Sequence, residues 1–244
     1  MCRHGAEDAP PAPHWRAVES PPLTTVPEQI GAFRVIGLLG QGGMGLIYDA
    51  IDTRLGRPVA LKTIRQDAVD NSLARDRFWR EARLAATVNH PNICQIYEVG
   101  EADGKLFLAM ERLEGESLAV RLARGPLPLA DVVRIGLEVL GGLEALHARG
   151  IVHRDLKPAN VFLTPHGVKL LDFGVARATN DDVAETQLSL TLPGTIVGTP
   201  KYMAPEQVQG GAVDGRTDVF ATGAILYEML AGRAPFEAAS LVGL

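Results

Sequence analysis

Short runs of alternating or consecutive apolar residues fill the part of the chain that follows residue 32. Runs of this length, separated by glycine, proline or charged residues, predict β-strands. Five of them succeed one another, at residues 33–40, 46–53, 58–64, 93–100 and 105–112. A cluster of glycines between the first two runs predicts a tight loop that joins two strands.

Helical spacing occurs once among these runs and then dominates the second half of the chain. In residues 73–88, Phe78, Ala82 and Ala85 recur at intervals of four and three, which predicts an amphipathic helix. Residues 129–150 form the longest helical pattern, with Gly150 as the predicted C-terminal stop. Because strands come first and helices second, the sequence predicts an α+β protein with a small sheet lobe and a larger helical lobe.

The first 32 residues have a different character. Six of the 16 prolines lie within residues 1–27, and the segment lacks apolar periodicity. Such a composition buries too little apolar surface to order a chain. We therefore predict a disordered tail at residues 1–32 and a folded domain at residues 33–244.

Composition and charge narrow the class of protein. With 46% hydrophobic and 22% charged residues, the chain is typical of soluble globular proteins. A net charge of −5 gives no general electrostatic reason to bind nucleic acid. Two cysteines, Cys2 and Cys94, are too few for a disulfide framework, which favours a cytoplasmic location. No apolar window of signal-peptide or membrane-spanning type is present, so no membrane contact is expected from this segment.

The glycine cluster is the first candidate for chemistry. Residues 40–45 read GQGGMG and match G-x-G-x-x-G, a pattern in which backbone N–H groups can approach phosphate oxygens without obstruction by Cβ atoms. The pattern alone is weak, since a glycine-rich hairpin or a dinucleotide-binding fold can also carry it. A dinucleotide fold requires a helix directly after the glycines, and a strand is predicted there instead.

Further motifs follow the glycine cluster in a fixed order. Lys62 ends the string VALK on a strand that is predicted to be buried. Taken alone, such a lysine would more often be a surface residue whose aliphatic stem packs on the protein while its ammonium group reaches solvent. The strings HRDLKPAN (153–160), DFG (172–174) and APE (204–206) come next. Together these strings resemble the protein kinase family, and specifically the eukaryotic-like serine/threonine kinases of bacteria, over residues 33–244.

The resemblance implies a two-lobed fold with a small antiparallel β lobe. Residues 33–113 would form the small lobe and hinge, and residues 114–244 part of the helical lobe. It also implies transfer of the γ-phosphate of ATP to serine or threonine hydroxyls of protein substrates, with Mg²⁺ or Mn²⁺ as cofactor. Autophosphorylation and a dimer of two kinase domains are further implications.

The resemblance assigns a role to each motif residue. Asp155 would accept the proton of the substrate hydroxyl, and Lys157 would reach the γ-phosphate. Asn160 and Asp172 would supply oxygen ligands to the metal ion. Lys62 would hold the α- and β-phosphates.

A carboxylate on the following helix would keep Lys62 in place. Glu81 is the preferred candidate, because it lies in a segment that resembles the family and shares a helix face with Phe78 and Ala85. Asp76 is the alternative.

The resemblance also implies an apolar slot for the adenine ring, with a few backbone hydrogen bonds at its edge. Plain core packing would equally account for most of its apolar residues. The residues implied in ATP binding are Leu39, Gly40, Gln41, Gly42, Gly43, Met44, Gly45, Ile47, Ala60, Lys62, Met110 as gatekeeper, Glu111 and Leu113 in the hinge backbone, and Leu163.

Arg154 precedes the predicted catalytic aspartate, which in the family marks kinases whose activation segment is ordered by phosphorylation. Thr191 and Thr195, with Ser189, are the candidate phosphorylation sites, although serine and threonine are common in any exposed loop. By the same resemblance, Thr199 would hydrogen-bond the catalytic aspartate and have a structural role. Glu206 would pair with a late arginine in the family, and no suitable arginine is apparent here.

Two features of the sequence narrow what the resemblance implies, and two alternative functions stay open. Ala159 occupies a position where kinases that favour basic peptides often have Glu, so no basic specificity follows. The chain stops after LYEMLAGRAPF, so we expect the helical lobe to be incomplete. The alternatives are a pseudokinase or interaction module, which would usually lack Lys62, Asp155 or Asp172, and a domain that uses nucleotide only as a switch.

Overall fold

The computed structural model of the protein describes residues 26–42, 45–65, 72–173 and 201–236. The predicted tail lies outside the described residues up to residue 25. Several predicted site residues also lie outside them, namely Gly43, Met44, Ser189, Thr191, Thr195 and Thr199.

The small lobe is built on one antiparallel sheet. Its strands are β1 (Gln29–Ile30), β2 (Phe33–Gly42), β3 (Gly45–Asp52), β4 (Arg57–Thr63), β5 (Ile96–Ala102) and β6 (Lys105–Glu111). Their order across the sheet is β1-β2-β3-β4-β6-β5, and all neighbours are antiparallel. The five strands that the apolar runs predict are therefore confirmed.

Two details of the sheet differ from the prediction. Gln29–Ile30 lies in the predicted tail yet pairs with β2, because Ile30 is buried with Phe33 in the core of the sheet. The expected disorder was therefore wrong for these two residues. Strand β5 begins at Ile96 rather than at residue 93, because Ile93 forms an isolated parallel bridge with Leu170.

Five α-helices occur within the described ranges. They are α1 (Ser72–Ala86), α2 (Leu118–Leu122), α3 (Leu129–His147), α4 (Pro205–Val208) and α5 (Gly215–Ala231). On α1, Phe78, Ala82 and Ala85 are buried, as their spacing predicts. Helix α3 ends at His147, and Gly150, with φ of 72°, donates its N–H to the His147 carbonyl. This glycine ends the helix because its positive φ cannot continue it.

A second sheet, which the apolar pattern did not predict, lies in the helical lobe. It contains β7 (Glu116–Ser117), β8 (Val161–Thr164) and β9 (Gly167–Leu170) in that order. A 3₁₀ turn at Pro158–Asn160 leads directly into β8. The Leu171 N–H, just past β9, bonds the Asn160 carbonyl at 2.9 Å. This sheet therefore brings two motif-bearing segments together.

One hydrophobic cluster joins the two lobes. It includes Phe78 of α1, Leu106 of β6, Leu143 of α3, Leu170 of β9 and Ile225 of α5, each at most 2% exposed. Each fully buried side chain of this size contributes about 1.5–3 kcal/mol to folding. A smaller cluster around Phe33 covers part of the six-stranded sheet. The predicted α+β architecture with two lobes is confirmed.

Among the helices of the described ranges, none is both long enough and apolar enough to cross a bilayer.

Candidate active site

Lys62 reaches the cleft between the lobes from the regular strand β4. Its register is fixed on both sides, opposite Ile47 of β3 and Leu108 of β6. The side chain is only 8% exposed, and its Nζ donates to Asp172 Oδ1 at 2.5 Å. A lysine buried to this extent requires a charged partner, and Asp172, from the segment after β9, provides it. The structure thus brings together two predicted phosphate and metal residues that are 110 positions apart.

Glu81 lies half-buried on α1 and lines a cavity of about 200 Å³ together with Arg80 and Arg154. The alternative carboxylate, Asp76, is exposed on the same helix. In this structure the ion pair of Lys62 is made with Asp172, so the expected pair with Glu81 stays a prediction.

The catalytic loop (residues 153–160) gathers three predicted side chains within hydrogen-bonding distance. The Asp155 Oδ2 accepts from Lys157 Nζ at 2.8 Å and from Asn160 Nδ2 at 3.1 Å. The Asn160 Nδ2 also donates to the Asp155 carbonyl at 2.7 Å. Since both contacts use the amide nitrogen, the Asn160 amide oxygen is left to act as an acceptor or metal ligand. The Asp155 side chain remains 43% exposed, so a substrate hydroxyl can reach it.

Asp218 of α5 positions this loop, although it belongs to none of the sequence motifs. Its fully buried carboxylate accepts the backbone N–H of His153 at 2.8 Å and that of Arg154 at 2.9 Å. A third contact, at 2.7 Å, comes from His147 Nε2 at the end of α3. Arg154 has φ of 67°, a conformation that costs energy for a non-glycine residue and persists only where its surroundings enforce it. In the sequence, Asp218 stands out only as a carboxylate within an apolar helix. An acidic residue near a helix N-terminus is common for another reason, because it interacts favourably with the helix dipole, so this signal did not indicate a positioning role.

Burial controls the protonation of His153 in the same loop. The imidazole is 1% exposed, and burial lowers its pKa, although the charges of Asp218, Asp155 and Asp172 oppose this effect. Neither ring nitrogen has a hydrogen-bond partner among the described residues. The ring is therefore neutral at physiological pH and acts as a core side chain.

Helix α4 holds Arg154 from the other side. The Gln207 Nε2 donates to the Arg154 carbonyl at 2.8 Å, and its Oε1 accepts the Ala204 N–H at 3.1 Å. The neighbouring Glu206 accepts the Thr217 hydroxyl at 2.6 Å, and this bond lowers the pKa of the Glu206 carboxyl. Among the described residues, the side-chain hydrogen-bond partner of Glu206 is thus a neutral hydroxyl and not an arginine.

Two of the predicted adenine residues are direct neighbours in the large sheet, and a third lies in the other lobe. Ala60 of β4 is the cross-strand neighbour of Met110 on β6, and Leu163 lies on β8 of the opposite lobe. The Glu111 N–H is engaged by the Gln95 carbonyl at 2.9 Å. The Leu113 backbone, by contrast, makes no hydrogen bond to another described residue, which leaves its N–H and carbonyl for a ligand.

The described glycine-cluster residues form the end of the β2–β3 hairpin. Leu39, Gly40, Gln41 and Gly42 belong to β2, and Gly45 opens β3. Gly45 has φ of 151°, and a Cβ there would lie 1.8 Å from the Thr63 carbonyl oxygen. Only glycine fits this approach. The competing explanation of a helix-opening dinucleotide motif is excluded, because a strand follows the glycines.

Two ion pairs fix the hinge (residues 111–113) to both lobes, and sequence reasoning missed them. Glu111 Oε2 accepts from Lys169 Nζ of β9 at 2.8 Å. Arg112 Nε donates to Asp49 Oδ1 of β3 at 2.8 Å, and its Nη2 donates to Oδ2 at 3.2 Å. Glu111 therefore connects the hinge to the helical lobe, and Arg112 connects it to the six-stranded sheet.

Comparison with known proteins assigns the class that this fold and site define. Residues 33–241 match the family "Protein kinase domain", and the chain belongs to that family. The family uses ATP and a divalent metal ion, and it acts on proteins.

The chain is similar to serine/threonine kinases of bacteria. The chain is 42% identical over 218 residues to "Serine/threonine-protein kinase pkn3" of Myxococcus xanthus, and the aligned region covers 86% of this chain and 40% of that protein. It is also 42% identical over 218 residues to "Serine/threonine-protein kinase PknD" of Mycobacterium tuberculosis, where the aligned region covers 88% of this chain and 32% of that protein. The chain thus spans less than half the length of these relatives. Among solved structures, the Mycobacterium tuberculosis PknI kinase domain is similar, with a TM-score of 0.70, 31% identity, and coverage of 86% of this chain and 78% of that one.

Proposed function

We propose that this chain is the catalytic part of a serine/threonine protein kinase, which transfers the γ-phosphate of MgATP to hydroxyls of protein substrates. The observation that carries the proposal is the convergence of five polar side chains on one cleft. Lys62 and Asp172 form one contact pair, and Lys157, Asp155 and Asn160 form a connected group beside it. No structural need requires this many polar groups at a junction of two lobes.

Each of these side chains has a separate role in the proposed reaction. Asp155 orients the attacking hydroxyl and accepts its proton, because its carboxylate is exposed and held by two donors. Lys157 and Lys62 balance the negative charge of the phosphates. The hinge backbone at Leu113 and the apolar pair of Ala60 and Leu163 hold the adenine ring.

The residues fit a magnesium or manganese ion. Asp172 offers a carboxylate that is 32% exposed, and Asn160 offers an amide oxygen. The described residues contain no cluster of three or more acidic, histidine or cysteine side chains that would hold a metal by itself. This agrees with Mg²⁺, which binds proteins through one or two oxygen ligands and completes its shell with water and substrate phosphates. The metal, when bound, neutralises charge on the phosphates.

Transfer of labelled phosphate tests the proposal. The purified chain is incubated with γ-labelled ATP and a mixture of proteins, and ATP binding is measured in parallel. We expect label on serine and threonine, both in the added proteins and in the chain itself. Nucleotide binding without any transfer would instead indicate a pseudokinase or a nucleotide-dependent switch.

Metal removal provides an independent test. We expect a chelator such as EDTA to abolish transfer, and Mg²⁺ or Mn²⁺ to restore it, because Asn160 and Asp172 supply hard oxygen ligands. Rescue by Zn²⁺ alone would contradict the assignment. The measurement is the initial rate of transfer at each added metal concentration.

Regulation by phosphorylation is part of the proposal. Arg154 and Arg80 line the same cavity beside α1, and arginines in such a position bind phosphate through charge-assisted hydrogen bonds. The candidate phosphorylation sites Ser189, Thr191 and Thr195 lie outside the described residues. We expect the double variant Thr191→Ala and Thr195→Ala to lower the transfer rate more than the ATP affinity. Full activity of this variant would refute this mode of regulation. A cytoplasmic location and a dimer of kinase domains stay predictions.

A further inference from the structure

The cleft-facing side of the six-stranded sheet carries a carboxylate that belongs to none of the motifs. Side chains directly opposite each other on antiparallel strands project from the same face of a sheet. Lys62 points into the cleft toward Asp172, so its cross-strand partner Ile47 lies on the cleft face as well. Two positions along β3, Asp49 lies opposite Ala60 and is the next residue on that face. A carboxylate is therefore placed beside two apolar residues of the predicted adenine slot.

Arg112 of the hinge binds this carboxylate from the edge of the slot. Its Nε and Nη2 donate to the two oxygens of Asp49 at 2.8 and 3.2 Å, which is a bidentate contact. The two side chains are 33% and 23% exposed, so the pair is partly shielded from solvent. The Arg112 Nη1 lies 3.8 Å from the exposed Glu114, which is beyond hydrogen-bonding distance. The contact with Asp49 therefore holds the guanidinium in place.

We propose that Asp49 and Arg112 are positioning residues for the nucleotide, which hold the roof of the adenine slot at a fixed distance from the hinge. Strand β3 forms the roof through Ile47, and the backbone of Leu113, the residue after Arg112, forms the polar edge. The pair thus connects, across 63 positions of sequence, the two sides that an adenine ring must contact at once. A slot whose sides are already held at the right separation binds more tightly, because no free energy is spent on ordering them. The inference rests on the proposed kinase function and adds two residues that determine nucleotide affinity.

Two other roles would fit the same contact. An ordinary surface ion pair contributes little and has no function. The pair of Asp49 and Arg112 differs from that of Arg54 and Glu98 on the same sheet, whose side chains are 56% and 36% exposed and which make a single hydrogen bond. In the other role, Arg112 would bind a nucleotide phosphate directly. Asp49 already neutralises the guanidinium and engages two of its nitrogen atoms, which favours the positioning role.

Nucleotide binding by single and double variants tests the proposal. Asp49→Ala and Arg112→Met each break the pair, and the dissociation constant for ADP is measured by calorimetry on variants that unfold cooperatively. We expect each variant to bind ADP about fivefold or more weakly than the parent, because the affinity and the ion pair are coupled through the geometry of the slot. The double variant should bind no more weakly than either single variant, since both substitutions remove the same contact.

The binding data separate the three roles. Unchanged ADP binding in both single variants would overturn the inference, because the pair would then be an ordinary surface contact. A loss confined to Arg112→Met would also overturn it, because the guanidinium would then contact the nucleotide directly. If one single variant fails to fold, the other single variant and the double variant still decide between these outcomes.

Steady-state kinetics supply the second test. KM for ATP should rise in Asp49→Ala and Arg112→Met while kcat stays within about twofold, because the pair acts on the slot and not on Asp155. Arg54→Met is the matched control, since it breaks an ion pair of the same sheet outside the slot, and its KM for ATP should equal that of the parent. A fall in kcat at constant KM in the slot variants would contradict the inference. A parent chain that binds ADP without transferring phosphate would refute the proposed kinase function alone, whereas a parent that binds no nucleotide would refute both.

Discussion

The two halves of the site are held in place by different kinds of structure. Lys62 lies on a regular strand, between two neighbouring strands whose backbone hydrogen bonds fix its position. The catalytic loop begins in irregular backbone, with Arg154 in a left-handed conformation, and depends on the buried side chains of Asp218 and Gln207. A strand position is secured by many weak contacts, whereas the loop is secured by a few strong ones. Single substitutions far from the substrate should therefore disturb the loop more than the strand.

The largest effect is expected where the two halves meet. In the proposed mechanism, Lys62→Met and Asp172→Asn each remove charge that would stabilise the phosphates or the metal, so the transfer rate should fall by a factor on the order of 10²–10³ or more. Lys62→Met should keep its stability, because methionine fills a similar space without a charge. Asp172→Asn removes the charged partner of the buried Lys62 ammonium, so we expect it to fold but with a lower free energy of unfolding. Lys105→Met is the matched control, an exposed lysine of the same sheet. The readouts are the rate of phosphate transfer and the thermal unfolding curve. Near-normal rates in either active-site variant would show that the site is wrongly assigned.

Asp218→Asn tests whether the catalytic loop depends on a single buried side chain. The amide nitrogen of asparagine cannot accept, so at least one of the backbone N–H groups of His153 and Arg154 would lose its acceptor. Leaving such a buried donor without a partner costs about 1–3 kcal/mol. We expect a lower free energy of unfolding, and also a lower kcat with little change in KM for ATP, because the loop carries Asp155. Denaturant unfolding and steady-state kinetics measure both.

Asp214→Asn is the control for this variant. Asp214 caps the N-terminus of the same helix from an exposed position, and asparagine is an equally good cap. Its kcat should therefore remain unchanged. An Asp218→Asn enzyme with normal kcat would mean that the buried carboxylate supports only the fold.

The same contrast explains how much of the molecule was predictable from its sequence. The strands of the sheet and helices α1 and α3 follow from local periodicity, since they bury one face along a regular element. The site residues Lys62, Asp155, Asn160 and Asp172 follow from motifs. The residues that position them, Asp218 above all, act across more than 60 positions of sequence and belong to no local pattern. The two-residue strand β1 was missed because two residues carry no periodicity and its neighbours are rich in proline.

A smaller effect on stability is expected from the ion pair that connects the hinge to the helical lobe. Glu111 and Lys169 form a pair whose side chains are 27% and 19% exposed. A double-mutant cycle with Glu111→Gln and Lys169→Met should give a coupling free energy of roughly 0.5–3 kcal/mol in stability. The more exposed pair of Arg75 and Glu101, treated the same way, should couple less, because solvent screens it. Equal coupling in the two cycles would show that the hinge pair has no special role.

The smallest effect concerns pH and the contact between α4 and α5. The Thr217 hydroxyl lowers the pKa of Glu206, so the ionised carboxylate stabilises the folded state. A group whose pKa is lower in the folded state contributes stability above its unfolded pKa, and that stability is lost as the pH falls through the folded value. Thr217→Val removes the donor, so the variant should be less stable than the parent at about pH 7, and the difference should shrink as the pH falls below about 4. Unfolding of both proteins as a function of pH measures this difference. If the difference were independent of pH, the destabilisation would arise from packing around the buried Thr217 and not from its bond to Glu206.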